Sequence, residues 1–139
     1  MKKIVGIVIL IAVFVIAFFV GSERKIEDNL WENAVYTADT QFGTGEKTIE
    51  VEVIAGEKSV TFTLKTNKET VGEALSEHKL ISGEKGPYGL YVKVVNGIVA
   101  DYDKNQSYWE FTKGGNYLNT GVDQTEAQNG EHYELTYTK

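Results

Sequence analysis

Two short runs in this chain imitate well-known chemistry. Gly43-Thr44-Gly45-Glu46-Lys47-Thr48 looks like a phosphate-binding loop. Such a loop needs glycine next to lysine, between a strand and a helix, so that backbone amides and the ammonium converge on phosphate oxygens. Here Glu46 separates Gly45 from Lys47 and a strand-like pattern follows, so nucleotide binding is not expected. Asp101-Tyr102-Asp103-Lys104-Asn105 begins like a calcium loop. Its sixth position is Gln106, where the sharp turn needs glycine, and its twelfth is Thr112, where a bidentate glutamate belongs. An acidic turn is the expectation, with Asp101, Asp103 and Asn105 offering at most weak surface binding of calcium.

The remaining reactive side chains do not assemble into a catalytic pattern. His78 falls on a helix face and reads as a packed residue, and His132 follows Asn129-Gly130 and reads as a surface turn residue. No G-x-S-x-G occurs, and neither histidine stands beside a serine or aspartate nucleophile. Carboxylates on the strands alternate outward, as on a solvated face. With no cysteine, thiolate metal sites, a cysteine nucleophile and dithiol redox chemistry are excluded. A net charge of −6 without a lysine or arginine run excludes the electrostatic footprint of nucleic-acid binding. The expectation is a protein that binds and does not catalyse, with no metal and no nucleic-acid partner.

The elements that would position a binding surface are mostly strands. Ile49, Val51 and Val53 alternate with Glu50 and Glu52, and after Ala55-Gly56-Glu57-Lys58 the residues Val60, Phe62 and Leu64 alternate with threonines and Lys65. That is a hairpin with one dry and one wet face. A helix follows from Val71 to Lys79, with Thr70 and Glu73 spaced as a capping box and Val71, Ala74, Leu75 and His78 along one side. Gly83 to Gly89 reads as a connection. Leu90–Val95 and Ile98–Tyr102 then flank Asn96-Gly97, a turn whose positive φ angles asparagine and glycine accept. Tyr108–Thr112 and Tyr117–Thr120 flank Gly114-Gly115-Asn116, and Tyr133, Leu135 and Tyr137 alternate through a closing strand. Trp109 and Phe111 share one strand face and read as core, with Tyr108 on the other. The order predicts an α+β fold: a β-grasp-like mixed sheet crossed by one helix, occupying residues 48–139.

Ahead of this domain, Lys2 and Lys3 precede an unbroken apolar run, Ile4 to Val20. As a helix at about 1.5 Å per residue it is roughly 25 Å long, near the lower limit for crossing a bilayer core. The lysines mark a cytoplasmic end, which puts the rest of the chain outside the cytoplasm. A cleaved secretory signal is the competing reading, although the run is long and Val20-Gly21-Ser22 is a poor cleavage site. We therefore expect a membrane anchor over 1–21 in the plasma membrane and a juxtamembrane spacer over 22–47. The spacer is either a loose tether or a short amphipathic helix with Trp31 at headgroup level. If the segment is cleaved, the protein is secreted.

Three motifs give the outer domain a family likeness. Thr70-Val71-Gly72-Glu73-Ala74-Leu75 is followed by Gly86-Pro87-Tyr88-Gly89 and then by Tyr108-Trp109-Glu110-Phe111. From Ile49 to Lys139, and best from Gly86 onward, the chain resembles the C-terminal β domain of the transcobalamin and intrinsic factor family. The resemblance implies a ligand-binding module. In those carriers the domain is the smaller of two and closes over cobalamin held mainly by a helical barrel, for which this chain has no room. By position, it implies that the hairpin after the Tyr-Trp pair faces a ligand, with Tyr117 and Leu118 at its tip. The candidate binding residues are Tyr88, Tyr108, Gly115, Tyr117, Leu118 and Asn119. The implied ligand is cobalamin, another corrinoid or another small flat molecule, passed on to a membrane transporter. The competing expectation is a surface domain that contacts protein or cell-wall polymer. A ligand pocket should be concave and lined by Tyr88, Tyr117 and Leu118, whereas an interaction surface should be open.

Overall fold

The computed structural model describes residues 29–139, so the apolar run Ile4–Val20 and the first part of the spacer lie outside the described residues. Among the described residues no helix is long and apolar enough to cross a membrane. The described residues fold into a mixed α+β structure, mostly strands arranged in two sheets.

The alternating runs form the strands expected of them. β2 (Lys47–Ala55) and β3 (Lys58–Thr66) pair antiparallel, with Ile49 opposite Leu64, Val51 opposite Phe62 and Val53 opposite Val60. All six side chains are buried, and the intervening Glu50, Glu52, Thr61 and Thr63 occupy the other face. β9 (His132–Thr138) runs parallel to β2 and antiparallel to β7 (Tyr108–Lys113), which continues through the Gly114-Gly115 turn into β8 (Asn116–Tyr117). With β1 (Thr40–Gly43) added parallel to β3, the main sheet has the order β1-β3-β2-β9-β7-β8. β4 (Ile81–Gly86), β5 (Gly89–Val95) and β6 (Ile98–Val99) form a second, three-stranded sheet.

Helix α1 (Val71–Glu77) closes the dry face of the main sheet with Val71, Ala74 and Leu75, all fully buried. It packs against β3, β4 and a 3-10 turn at Val122–Gln124. Thr70 caps it as expected, its Oγ1 accepting the Glu73 N–H at 3.1 Å. The reciprocal half of the box is displaced by one residue. Glu73 accepts from the Glu69 N–H at 3.2 Å. The helix ends at Glu77, two residues before the expected end, with Lys79 at a φ of 59°.

Of the expected core aromatics, Trp109 is buried and Phe111 is partly buried against the core. Trp109 is buried edge-to-face with Tyr137 at 5.7 Å, and Phe111 stacks on Tyr133 at 6.0 Å. Besides the strand expected over Tyr117–Thr120, which ends at Tyr117, three segments depart from the sequence reading. Ile81–Gly86, read partly as a connection, is a strand with a bulge at Ser82/Gly83. Glycines weaken a strand signal, and here Gly83 lies so close to the Tyr91 carbonyl that a side chain would not fit. The strand expected to reach Tyr102 stops at Val99, because the Asp101 carboxylate caps a helical turn, α2 (Tyr102–Asn105), through the Asp103 N–H at 3.1 Å.

The third departure lies in the segment read as spacer. From Leu30 onward it is packed on the domain. The Trp31 indole N–H donates to the Ala55 carbonyl at 2.9 Å, and Tyr36, Phe42 and Phe62 form an edge-to-face trio with centroids 5.2 to 5.8 Å apart. No alternation announced this segment, because β1 is only four residues long and sits at a sheet edge.

Candidate functional site

Register places a second set of side chains on the open face of the main sheet. Glu50 and Glu52 of β2 stand beside His132 and Glu134 of the parallel β9, and Glu134 stands opposite Thr112 of β7. Period-2 alternation carries all of them to one face. His132 Nδ1 lies 3.0 Å from Glu50 Oε1, and its Nε2 lies 3.2 Å from Glu52 Oε1 and 3.4 Å from Glu134 Oε2. Hydrogen bonding to Glu50 and Glu52, with the charges of Glu134 and Glu50, holds the imidazole above its ordinary value against the opposing pull of burial. Glu134, only 9% exposed, accepts through Oε1 from the Thr112 hydroxyl and from the Gly115 N–H at 3.0 Å.

One step further along this face are the aromatic candidates. Tyr102 and Tyr108 have ring centroids 6.5 Å apart, and Tyr117 projects from β8 with 82% of its surface exposed. The Glu110 carboxylate beside the Tyr117 hydroxyl raises that phenol above its ordinary range. Five of the six expected binding residues therefore lie in or just beyond one hairpin: Tyr108 in β7, Gly115 in its turn, Tyr117 in β8, then Leu118 and Asn119. Gly115 has a φ of 86° and so combines the turn with the hydrogen bond to Glu134. Tyr88, 77% exposed, belongs to the β4–β5 hairpin of the other sheet. No ring contact or hydrogen bond joins it to Tyr117 among the described residues.

A concavity lies elsewhere. It is an open groove of about 550 Å³ between α1 and the β4–β5 hairpin, lined by Thr70, Glu73, Ser76, Ile81, Leu90 and Asp123, among others. Asp123 shapes one end, its Oδ2 accepting the Leu90 N–H at 2.9 Å. Tyr88, Tyr117 and Leu118 do not line it, and both tyrosines are largely exposed. His78 is packed as expected, its ring 5.2 Å from that of Phe42. Among the described residues no group of three or more His, Cys, Asp or Glu is arranged to hold a metal ion, and Asp101 and Asp103 are used at the start of α2. In the His132 cluster the imidazole and the carboxylates contact one another directly.

That cluster was missed by sequence reasoning. The alternation of Glu50 with Glu52 and of His132 with Glu134 was visible. Only the parallel pairing of β2 with β9, eighty residues apart at His132 and Glu52, brings the two sets together.

Residues 68–139, just over half of the chain, match a sequence family described as a domain of unknown function, DUF4430. The chain belongs to that family. Among solved structures, this DUF4430 protein is similar to a candidate metal-binding protein from Ruminococcus gnavus, with 40% identity and a TM-score of 0.64 over 68% of this chain and 98% of that one. It is also similar to haptocorrin in complex with Cbi, with 22% identity and a TM-score of 0.52, over 70% of this chain and 26% of that one. The likeness to haptocorrin is one of fold and extends to about a quarter of that protein. No curated protein sequence matches the chain.

Proposed function

We propose that this DUF4430 protein is a non-catalytic ligand-binding module, tethered to the outer side of the plasma membrane by the segment Ile4–Val20. The observation that carries the reading is the β7–β8 hairpin, which presents Tyr108, Tyr117 and Leu118 on a fold shared with a corrinoid-bound protein. We read the sheet order, with β2 and β9 parallel at its centre, as a β-grasp core. Tyrosine offers a large rigid face and a hydroxyl at low entropic cost, which suits a flat, amide-fringed ligand such as a corrinoid. The open surface implies that the ligand is covered from its other side by a partner, such as the transporter that receives it.

The test is calorimetric titration of the full chain in detergent with cobalamin and with a base-free corrinoid. Micromolar binding that is lost in the Tyr117→Ala/Leu118→Ala double variant supports the reading. No heat with either ligand at a few hundred micromolar overturns corrinoid binding by the protein alone. A second reading, a surface domain that contacts protein or cell-wall polymer, is favoured by one observation: Tyr88 and Tyr117 are largely exposed on hairpins, outside the groove between α1 and the β4–β5 hairpin. Retention on cell-envelope material, lost in the same variants, would support it.

A further inference from the structure

The open-face cluster has a consequence for the hairpin that bears the candidate binding residues. Glu134 is bound from two sides. Its Oε2 faces His132 Nε2 at 3.4 Å, while its Oε1 holds the Gly115 N–H at 3.0 Å and the Thr112 hydroxyl. His132 in turn bridges to Glu50 and Glu52 of the neighbouring strand. Three carboxylates thus converge on one imidazole. With Nδ1 donating to Glu50, the Nε2 lone pair of a neutral ring would point at two carboxylate oxygens. Only a proton on Nε2 makes both contacts favourable.

We infer that His132 is a pH-sensitive latch on the β7–β8 hairpin. With the imidazole protonated, Glu134 is fixed and the Gly115 turn is pinned. With the imidazole neutral, Glu50, Glu52 and Glu134 repel one another and the hold on Gly115 loosens.

The other charges around the cluster do not supply a substitute cation. On β7, Thr112 is uncharged, Glu110 adds a further negative charge along the strand, and Lys113 is engaged by Gln128 at 2.7 Å and Glu131 at 3.7 Å. Glu131 itself directly precedes β9. On β3, Thr63 stands opposite Glu50 and Thr61 opposite Glu52, and Lys65 stands opposite Thr48. The imidazole's value is raised by its partners, so the latch is closed at mildly acidic pH and opens as pH rises through that raised value.

The latch stands on its own geometry; its effect on binding rests on the proposed role of the hairpin. The test is NMR titration of the full chain in detergent micelles between pH 5.5 and 9, following the His132 ring and the Gly115 amide. The expected result is a His132 midpoint above that of an ordinary imidazole, about 6.5, shared by the Gly115 amide shift. That amide transition should vanish in His132→Gln, and Glu52→Gln should lower the midpoint in both signals. A Gly115 amide that does not follow the His132 titration overturns the latch, as does a His132 midpoint at or below 6.5. Neither outcome requires a ligand, so failure of the latch is separable from failure of corrinoid binding.

Discussion

Asn96 holds Tyr36 by both of its backbone groups. The Tyr36 N–H donates to Asn96 Oδ1 at 2.8 Å, and the Asn96 amide donates to the Tyr36 carbonyl at 2.8 Å. The residue is 2% exposed and has a φ of 55°, so it makes a turn and anchors a segment sixty residues away. Asn96→Gly keeps the φ and deletes both bonds. It should cost about 1–3 kcal/mol, the range for leaving buried polar groups unsatisfied, measured by urea denaturation. An unchanged midpoint would show that water replaces the side chain without loss.

Tyr133 makes a similar polar closure on the dry side of the sheet. Its hydroxyl donates to the Glu126 carbonyl at 3.0 Å and accepts the Gln128 N–H at 3.2 Å, while the ring is fully buried. Tyr133→Phe leaves the packing and removes the hydroxyl. A loss of about 1–3 kcal/mol is expected by denaturation, with hydrogen exchange quickened at Gln128.

The helix depends on its cap. Thr70→Ala should cost about 0.5–2 kcal/mol, and Thr70→Ser should restore most of it. Leu75→Ala, at a site with no solvent exposure, should cost about 2–5 kcal/mol. Thermal melts of the two alanine variants should therefore rank Leu75→Ala as the more damaging.

Stability should depend on pH through His132. Its value is raised in the folded state, chiefly by the hydrogen bond to Glu50. The contribution is therefore fully present below the unfolded imidazole value, about 6.5, and is lost as pH rises through the folded one. Melting temperature should fall between pH 6 and pH 9, and the fall should be smaller in His132→Gln. Equal slopes in the two proteins would assign the dependence to other groups.

Tyr117→Ala should leave stability within about 0.5 kcal/mol, as for other surface substitutions, because the ring is 82% exposed. Any loss of ligand or surface binding in that variant then reports a contact and not a folding defect.

Much of the fold was legible because alternation writes itself into sequence. Val51, Val53, Phe62 and Leu64 announce one face of a sheet, and Asn96-Gly97 and Gly114-Gly115 announce their turns by the φ angles they adopt. The turn residues also marked the hairpin bearing Tyr117. Less legible was anything decided by partners distant in sequence. Asn96 looked like a turn former and is also a buried clamp. Leu30 to Phe42 carried no periodic signal, and joins the core through isolated contacts from Trp31, Tyr36 and Phe42. His132 and Glu52 were separately unremarkable, and their meeting depends on a parallel pairing that no local pattern encodes.

That pairing also sets the order in which the molecule can be made. β9 lies between β2 and β7, so the main sheet has no centre until residues 132–138 are available. A nascent chain short of Tyr133 and Leu135 carries the β2–β3 and β7–β8 hairpins of the main sheet with nothing to join them and an incomplete core. Contacts of such long sequence separation form slowly. For the exported protein proposed above, this delay would be an advantage, because the chain could be threaded through a narrow channel before it locks into shape.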